Sequence, residues 1–376
     1  MSLSGQYVIA GIGATEFGKL PGRSTISMNV EAIRAALADA GVEKDRVDAV
    51  LVKPPTSDFQ MHYVMKLASA LGIQPKLGGG WDQAGAANIT LISMACMAIE
   101  ARQCEVAVVS YADNPRTGSA AVFSRPRGDD ALYGWFGTLP GYAMIMQRHI
   151  GEYGTPPEAF AAIAMAARKH GAANPRAQVR NPLSLDDYLA APPLVAPLRR
   201  DDCALVSDGG GAVVVMSAAM AARLKVPAPV PILGWGGGQT FFDVAQRPVL
   251  TETMAKVSGP MALKMAGLAP GEVDCVQIYD CFTIAALMTL EDYGFCAKGQ
   301  AAAFVRDGAL EVGGALPFNT SGGLLSETGM PGMQLVHEAV RQMRGSSVNQ
   351  VRGARNVVVS NQGGVMQTHS TLVLGQ

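Results

Sequence analysis

Two distant stretches of this chain spell the same pattern. Ala40-Gly41-Val42 leads on to Val47-Asp48-Ala49-Val50, and Ala266-Gly267-Leu268 leads on to Val273-Asp274-Cys275-Val276. The offset is 226 residues (41 to 267). Further along, Val106-Ala107-Val108-Val109-Ser110 is echoed by Asn356-Val357-Val358-Val359-Ser360 at an offset of 250 (110 to 360). Two echoes in the same order imply a duplicated unit, and the period is far too long for a solenoid. The reading is two similar α/β halves about a pseudo-twofold axis, residues 1–225 and 226–376. The growth in offset places about 24 extra residues inside 280–356, near Gly294–Pro317.

Hydrophobic periodicity supports that division. Strands are expected at Tyr7–Gly13, Val47–Val52, Glu105–Ser110 and Gly209–Val215, then at Val230–Gly234, Val273–Ile278, Val357–Ser360 and Ser370–Leu374. Helices are expected at Ser27–Ala40, Met61–Leu71, Ala86–Arg102, Thr251–Ala266 and Met333–Arg344. Residues 111–204 break the pattern with ten prolines and one clear helix, Pro157 to His170. They read as an insertion long enough to form a lid or loop domain.

With 49% hydrophobic and only 16% charged residues, much apolar surface must be hidden, and a homodimer at least is expected. A net charge of −1 gives no basic footprint for nucleic acid. The six cysteines have no CxxC spacing, so no structural zinc or other metal site is expected, and the chain reads as cytoplasmic. No apolar run is long enough to span a bilayer.

In α/β sheets, ligands gather beyond strand carboxyl ends and at helix N-termini. Four segments fall there: Gln83-Ala84-Gly85-Ala86-Ala87-Asn88, Tyr279-Asp280-Cys281-Phe282, the run from Asn319-Thr320-Ser321-Gly322-Gly323 to Gly329-Met330-Pro331-Gly332, and Ser360-Asn361-Gln362-Gly363-Gly364. With Asn181-Pro182-Leu183, Asp202-Cys203-Ala204 and Val305-Arg306-Asp307-Gly308, these segments resemble the thiolase superfamily, in particular the sterol-carrier-protein-X or lipid-transfer type. The resemblance covers nearly the whole chain. It implies a five-layer αβαβα sandwich with an inserted loop domain, an acyl-CoA substrate, and chemistry at the Cα–Cβ bond.

The resemblance also assigns positions. The nucleophilic cysteine of working thiolases falls on Gly85, the histidine of Gly-His-Pro on Met330, and the second cysteine on the Asn361-Gln362 stretch. The group that polarises the thioester oxygen corresponds to Tyr279. Glycine forms no acyl-enzyme, and neither Met330 nor Asn361 moves protons near neutral pH. What remains stabilises charge: Gly363 and Gly364 amides for an enolate oxygen, and Tyr279 as a donor, or as a proton acceptor if its pKa is depressed. Those parts suit retro-aldol cleavage of a β-hydroxyacyl-CoA, by a cysteine-less relative working with a small OB-fold partner that binds acyl-CoA. Ala86, Asp280, Ser321, Gly322, Gly323 and His369 complete the expected substrate pocket. No resident cofactor is expected; coenzyme A enters as part of the substrate.

Plainer readings stand beside these. Gly85 also suits a close backbone approach, Asp280 a loop-amide clamp, and His369 a hydrogen-bonded core site. Cys96 reads as core and Cys281 as packing. Two further functional classes remain open at the level of sequence: a non-catalytic acyl-CoA or lipid-binding scaffold, and conventional acyl transfer.

Overall fold

The computed structural model describes residues 3–123, 128–330 and 332–376, so Pro331 of the Gly329-Met330-Pro331 run lies outside the described residues. The first half holds β1 (Tyr7–Ala14), α1 (Thr25–Ala40), β2 (Ala49–Lys53), α2 (Tyr63–Leu71), β3 (Leu77–Gly80), α3 (Ala87–Glu100) and β4 (Val106–Asp113). The insertion follows, with α4 (Leu139–Tyr153), α5 (Pro157–Ala173), α6 (Leu185–Ala190) and a small hairpin, β5 (Pro193–Val195) and β6 (Leu198–Arg199). β7 (Gly209–Ser217) and α7 (Ala218–Leu224) close the first half. The second half holds β8 (Val230–Gln239), α8 (Ala255–Ala266), β9 (Val276–Ile278), α9 (Thr283–Asp292), α10 (Ala301–Phe304), α11 (Gly323–Ser326), α12 (Met333–Arg344), β10 (Asn356–Gly363) and β11 (Thr368–Gly375).

Nine strands form one mixed sheet in the order β3-β2-β4-β7-β1-β8-β11-β10-β9. The duplication is written into its register. Val50 faces Val108 between parallel β2 and β4, and Val276 faces Val358 between parallel β9 and β10. The offsets of 226 and 250 are therefore one offset per strand of the same pair. The shared Asp explains itself: Asp48 Oδ1 accepts the Glu105 and Val106 amides at 2.9 Å, and Asp274 Oδ2 accepts the Arg355 and Asn356 amides at 2.8 and 3.1 Å. Each carboxylate pins the start of the next core strand. The shared glycines, Gly41 and Gly267, cap α1 and α8 in the left-handed region at φ 64° and 72°.

The halves meet through antiparallel β1 and β8, with Tyr7 opposite Ile232, so one sheet runs through both. The packing is nonetheless layered. α1, α2 and α7 cover the outer face of the first half. α3 and α12 share one core with strands of both halves. α8, α9 and the inserted α4 and α5 cover the far face of the second half. β8 approaches α8 so closely that a side chain on Gly236 would meet Ser258 O at 2.1 Å and one on Gly238 the Met254 side chain at 3.2 Å.

Two boundaries differ from the sequence reading. β4 continues to Asp113 and β7 begins at Gly209, so the insertion occupies 114–208. It also contains α4, which Pro140 and Gly141 disguise; proline is tolerated in the first helical turn, where its missing amide donor has no intrahelical partner. Among the described residues, no helix is long and apolar enough to cross a membrane.

Candidate active site

The buried helices α3 and α12 begin beside the carboxyl end of β9 and the turn between β10 and β11. The lead-in to α3 is docked on β11: Thr368 Oγ1 donates to Gln83 O at 3.1 Å and Ser370 Oγ to Ala86 O at 2.8 Å. These bonds put Gly85 against Tyr279. A Cβ on Gly85 would lie 2.4 Å from the Tyr279 hydroxyl oxygen and 2.3 Å from Gln362 O. The phenol thus fills the volume that any side chain at position 85 would need. The functional and plain readings of Gly85 merge here, because both a catalytic-type side chain and a backbone crowd it.

Tyr279 follows β9, its amide bonded to Ser360 O at 2.9 Å, and it is 9% exposed. Burial first, then the neighbouring Cys281 and Asp280, push its phenol well above the ordinary tyrosine value. It therefore stands as a neutral donor; the depressed pKa that a resting phenolate base would need is not found. Cys281 has no thiolate character either. Burial pushes its thiol up to about 12, and the thiol donates to the Tyr142 hydroxyl at 3.3 Å.

Tyr142 is a site residue that the sequence did not reveal. Buried on the inner face of α4, it donates to Gly364 O at 2.9 Å and stacks on Phe282 with ring centroids 4.1 Å apart. Its only sequence signal was an aromatic on the apolar stripe of a helix hidden in a proline-rich stretch. The Gly363 and Gly364 turn is thereby held by the insertion on one side and β11 on the other.

Next to that turn the strand end is polar and open. Asn361 is fully buried, yet among the described residues neither its Nδ2 nor its Oδ1 has a partner, and Gln362 Oε1 has none either. Asn361 lies at the start of α12, where a Cβ on Gly332 would meet its Nδ2 at 2.1 Å. Gln362 Nε2 contacts Cys281 Sγ at 3.2 Å. Unpaired buried amide atoms are rare and costly, which makes this strand end a candidate position for a polar ligand atom. Met330, 1% exposed, brings no ionisable group.

Other expected pocket residues sit elsewhere. Asp280 accepts the Leu324 amide at 2.7 Å and clamps α11; burial pushes its carboxyl up to about 7. Asn319 straps onto Ile278 through both side-chain atoms, at 2.7 and 2.8 Å. Gly323 crowds Asp280, Gly322 packs on Gly171 of α5, and Ser321 O accepts from Asn174 at 2.8 Å. These contacts give 319–323 a bracing role between β9 and α5. His369 has the surroundings of the plainer reading, a core site, with Nδ1 at 2.7 Å from Ser258 Oγ and Nε2 at 3.0 Å from Ser360 Oγ. Burial lowers its pKa to about 3, so it stays neutral and takes no part as an acid.

Chemically, the site offers a neutral phenol, a glycine turn, an unpaired amide side chain and two helix N-termini, all of which favour developing negative charge. Among the described residues, no cluster of His, Cys, Asp or Glu is arranged to hold a metal ion.

Comparison with known proteins gives the same direction. Residues 236–376 match the family model described as thiolase C-terminal domain-like. A steroid side-chain-cleaving aldolase of Thermomonospora curvata is 37% identical, over 99% of this chain and 98% of the relative. A 17-hydroxy-3-oxo-4-pregnene-20-carboxyl-CoA lyase of Mycobacterium tuberculosis is 36% identical, over 99% and 100%. The solved structure of an Ltp2-ChsH2(DUF35) aldolase superposes with a TM-score of 0.88 at 37% identity, covering 99% of this chain and 98% of that one.

Proposed function

The chain belongs to the thiolase superfamily, and from that premise we propose that it cleaves the Cα–Cβ bond of a β-hydroxyacyl-CoA by retro-aldol chemistry. The observation that carries the reading is the Tyr279 phenol seated in the space a nucleophilic side chain at Gly85 would occupy. On this reading the chain is of the cysteine-less type, and no acyl-enzyme forms. The β-hydroxyl passes its proton to the Tyr279 oxygen as Tyr279 passes its own to the α-carbon. The electrons of the breaking Cα–Cβ bond shift onto the thioester as enolate-like charge and end in the new Cα–H bond, and the carbonyl forms at Cβ. Both protons are accounted for, and the buried phenol stays neutral at either end of the step. The Gly363 and Gly364 amides and Asn361 hold the enolate oxygen.

The two similar enzymes named for steroid chemistry make a steroid side-chain CoA thioester the substrate class to test first. The two-part name of the similar aldolase structure supports a partner protein, and the small acyl-CoA-binding OB-fold protein is the partner proposed. Self-association is supported by β3, the sheet edge, beside exposed Phe59, Met61, Met65 and Trp81. The halves at 1–225 and 226–376 are proposed as the two units, with the insertion shaping the acyl pocket. Six free cysteines support a reducing, cytoplasmic setting. Coenzyme A enters only with the substrate.

The test is to incubate the protein with β-hydroxyacyl-CoA thioesters, with and without candidate partners. Ketone or aldehyde released in equal amount to a shortened acyl-CoA is expected. Tight CoA binding without turnover, across steroid, aromatic and fatty acyl groups and with a partner present, would replace the reading with a binding homologue.

A further inference from the structure

One buried cation stands outside everything described so far. Arg247 lies in the loop between β8 and α8 and is 7% exposed. Its Nη2 donates to Val365 O, directly after the Gly363-Gly364 turn. Its Nε and Nη1 have no partner among the described residues. Among the described residues no carboxylate pairs with it, and its electrostatic neighbour is the Tyr142 phenol. A guanidinium stays charged at any ordinary pH. Burying one without a counter-ion costs several kcal/mol, and structures usually avoid it.

The placement gives that cost a purpose. Arg247 touches one side of the 364–365 turn while Tyr142 bonds the carbonyl of Gly364. α4 is pressed against the same turn, since a Cβ on Gly141 would lie 2.9 Å from the Val365 side chain. The cation, the phenol and the turn form one packed unit backing the glycine amides. The counter-charge missing from the resting protein is the charge that appears on a substrate when it becomes an enolate.

We propose that Arg247 is the positive pole of the site, a positioning and field-setting residue that stabilises a coenzyme A thioester enolate through the Gly363–Val365 turn and Tyr142. The proposal rests on the aldolase reading for the identity of the anion, and on the unpaired guanidinium for its existence. Arg247 does not touch the substrate. It fixes the amides that do, and its field lowers the energy of negative charge in front of them.

The test compares wild type with Arg247→Gln, Arg247→Met and Arg247→Lys, each checked for wild-type circular dichroism. Two probes are used: a nitroalkyl thioether of coenzyme A, whose nitronate carries an enolate-like charge, and the matching neutral alkyl thioether. Arg247→Gln is expected to lower kcat roughly 10- to 100-fold with KM nearly unchanged, the range for a charge acting one layer behind an oxyanion site. The preference for nitronate over neutral thioether falls by a similar factor, while the neutral probe binds as in wild type. Arg247→Met, which fills the volume without charge, serves if the Gln variant does not fold and gives the same loss. Arg247→Lys keeps most of the preference. A folded uncharged variant with wild-type kcat and undiminished nitronate preference overturns the proposal. If wild type cleaves no β-hydroxyacyl-CoA, an Arg247-dependent nitronate preference still upholds the anion site while the aldolase reading falls.

Discussion

The two halves place different chemistry on equivalent positions. The 226-residue offset sets Lys53, at the end of β2, against Tyr279, at the end of β9. The 250-residue offset sets Tyr111 and Asp113 against Asn361 and Gly363. In the first half these positions form a closed cluster. Lys53, 1% exposed, donates to Pro54 O at 3.1 Å and Thr56 Oγ1 at 3.0 Å, with its amine 4.4 Å from the Tyr111 ring centroid. Tyr111 donates to Asp113 Oδ2 at 2.7 Å, and Asp113 takes the Thr56 amide at 2.7 Å. In the second half one of them, Asn361, carries side-chain atoms with no partner among the described residues. One scaffold thus serves twice, once as a satisfied strut and once as an open site. Among these equivalent positions, the unpaired amide of Asn361 is what separates the two.

The largest effect expected is at the equivalent pair itself. Tyr279→Phe should lower kcat by roughly 10²–10⁴-fold, the usual worth of a positioned proton-transferring group. Lys53→Met should lower stability by about 1–3 kcal/mol, through the stranded partners of its amine, and change kcat by much less. Product-release kinetics and thermal melts of both variants check this; equal kinetic losses would erase the distinction between strut and site. Next comes Gly85→Ala. Its methyl meets the Tyr279 oxygen and Gln362 O, so overpacking of about 1–3 kcal/mol and a large fall in kcat are expected together. An alanine variant with normal kcat would show that the phenol need not hold that space.

The smallest effect concerns the next pair of equivalent positions, Pro54 in one half and Asp280 in the other. The Asp280 carboxyl is pushed up to about 7 by burial, above its unfolded value. The folded state therefore binds more protons between about pH 4 and 7. Stability from this group is complete below that window and is lost as pH rises through it. Asp280→Asn removes the titration, so its melting temperature should gain on wild type as pH rises from 4 to 7. A constant difference across that range would show that Asp280 does not titrate there.

Much of the architecture was legible because duplication and period-2 or period-3.6 patterning are local properties. The α3 lead-in, the β9 end and the β10 end were all named as site segments on strand-end and helix-start logic alone, and the structure brings them together. What was not legible depends on side-chain direction across distant elements. His369 sits on a strand close to the site, but its ring turns into the core toward Ser258 and Ser360. Asn319 through Gly323 look like a pocket motif, and in the fold the Asn319 side chain and the Ser321 carbonyl brace β9 and α5. Tyr142 and Arg247 come from segments without a motif, and only the folded turn at Gly364-Val365 gives them meaning.

The central claim is that a tyrosine oxygen has taken the place of a covalent nucleophile. Intact-protein mass spectrometry, sampled while carbonyl product is being released from a β-hydroxyacyl-CoA, tests it most directly. The account predicts an unmodified chain mass throughout turnover. An acyl adduct that appears and decays at the catalytic rate would contradict it.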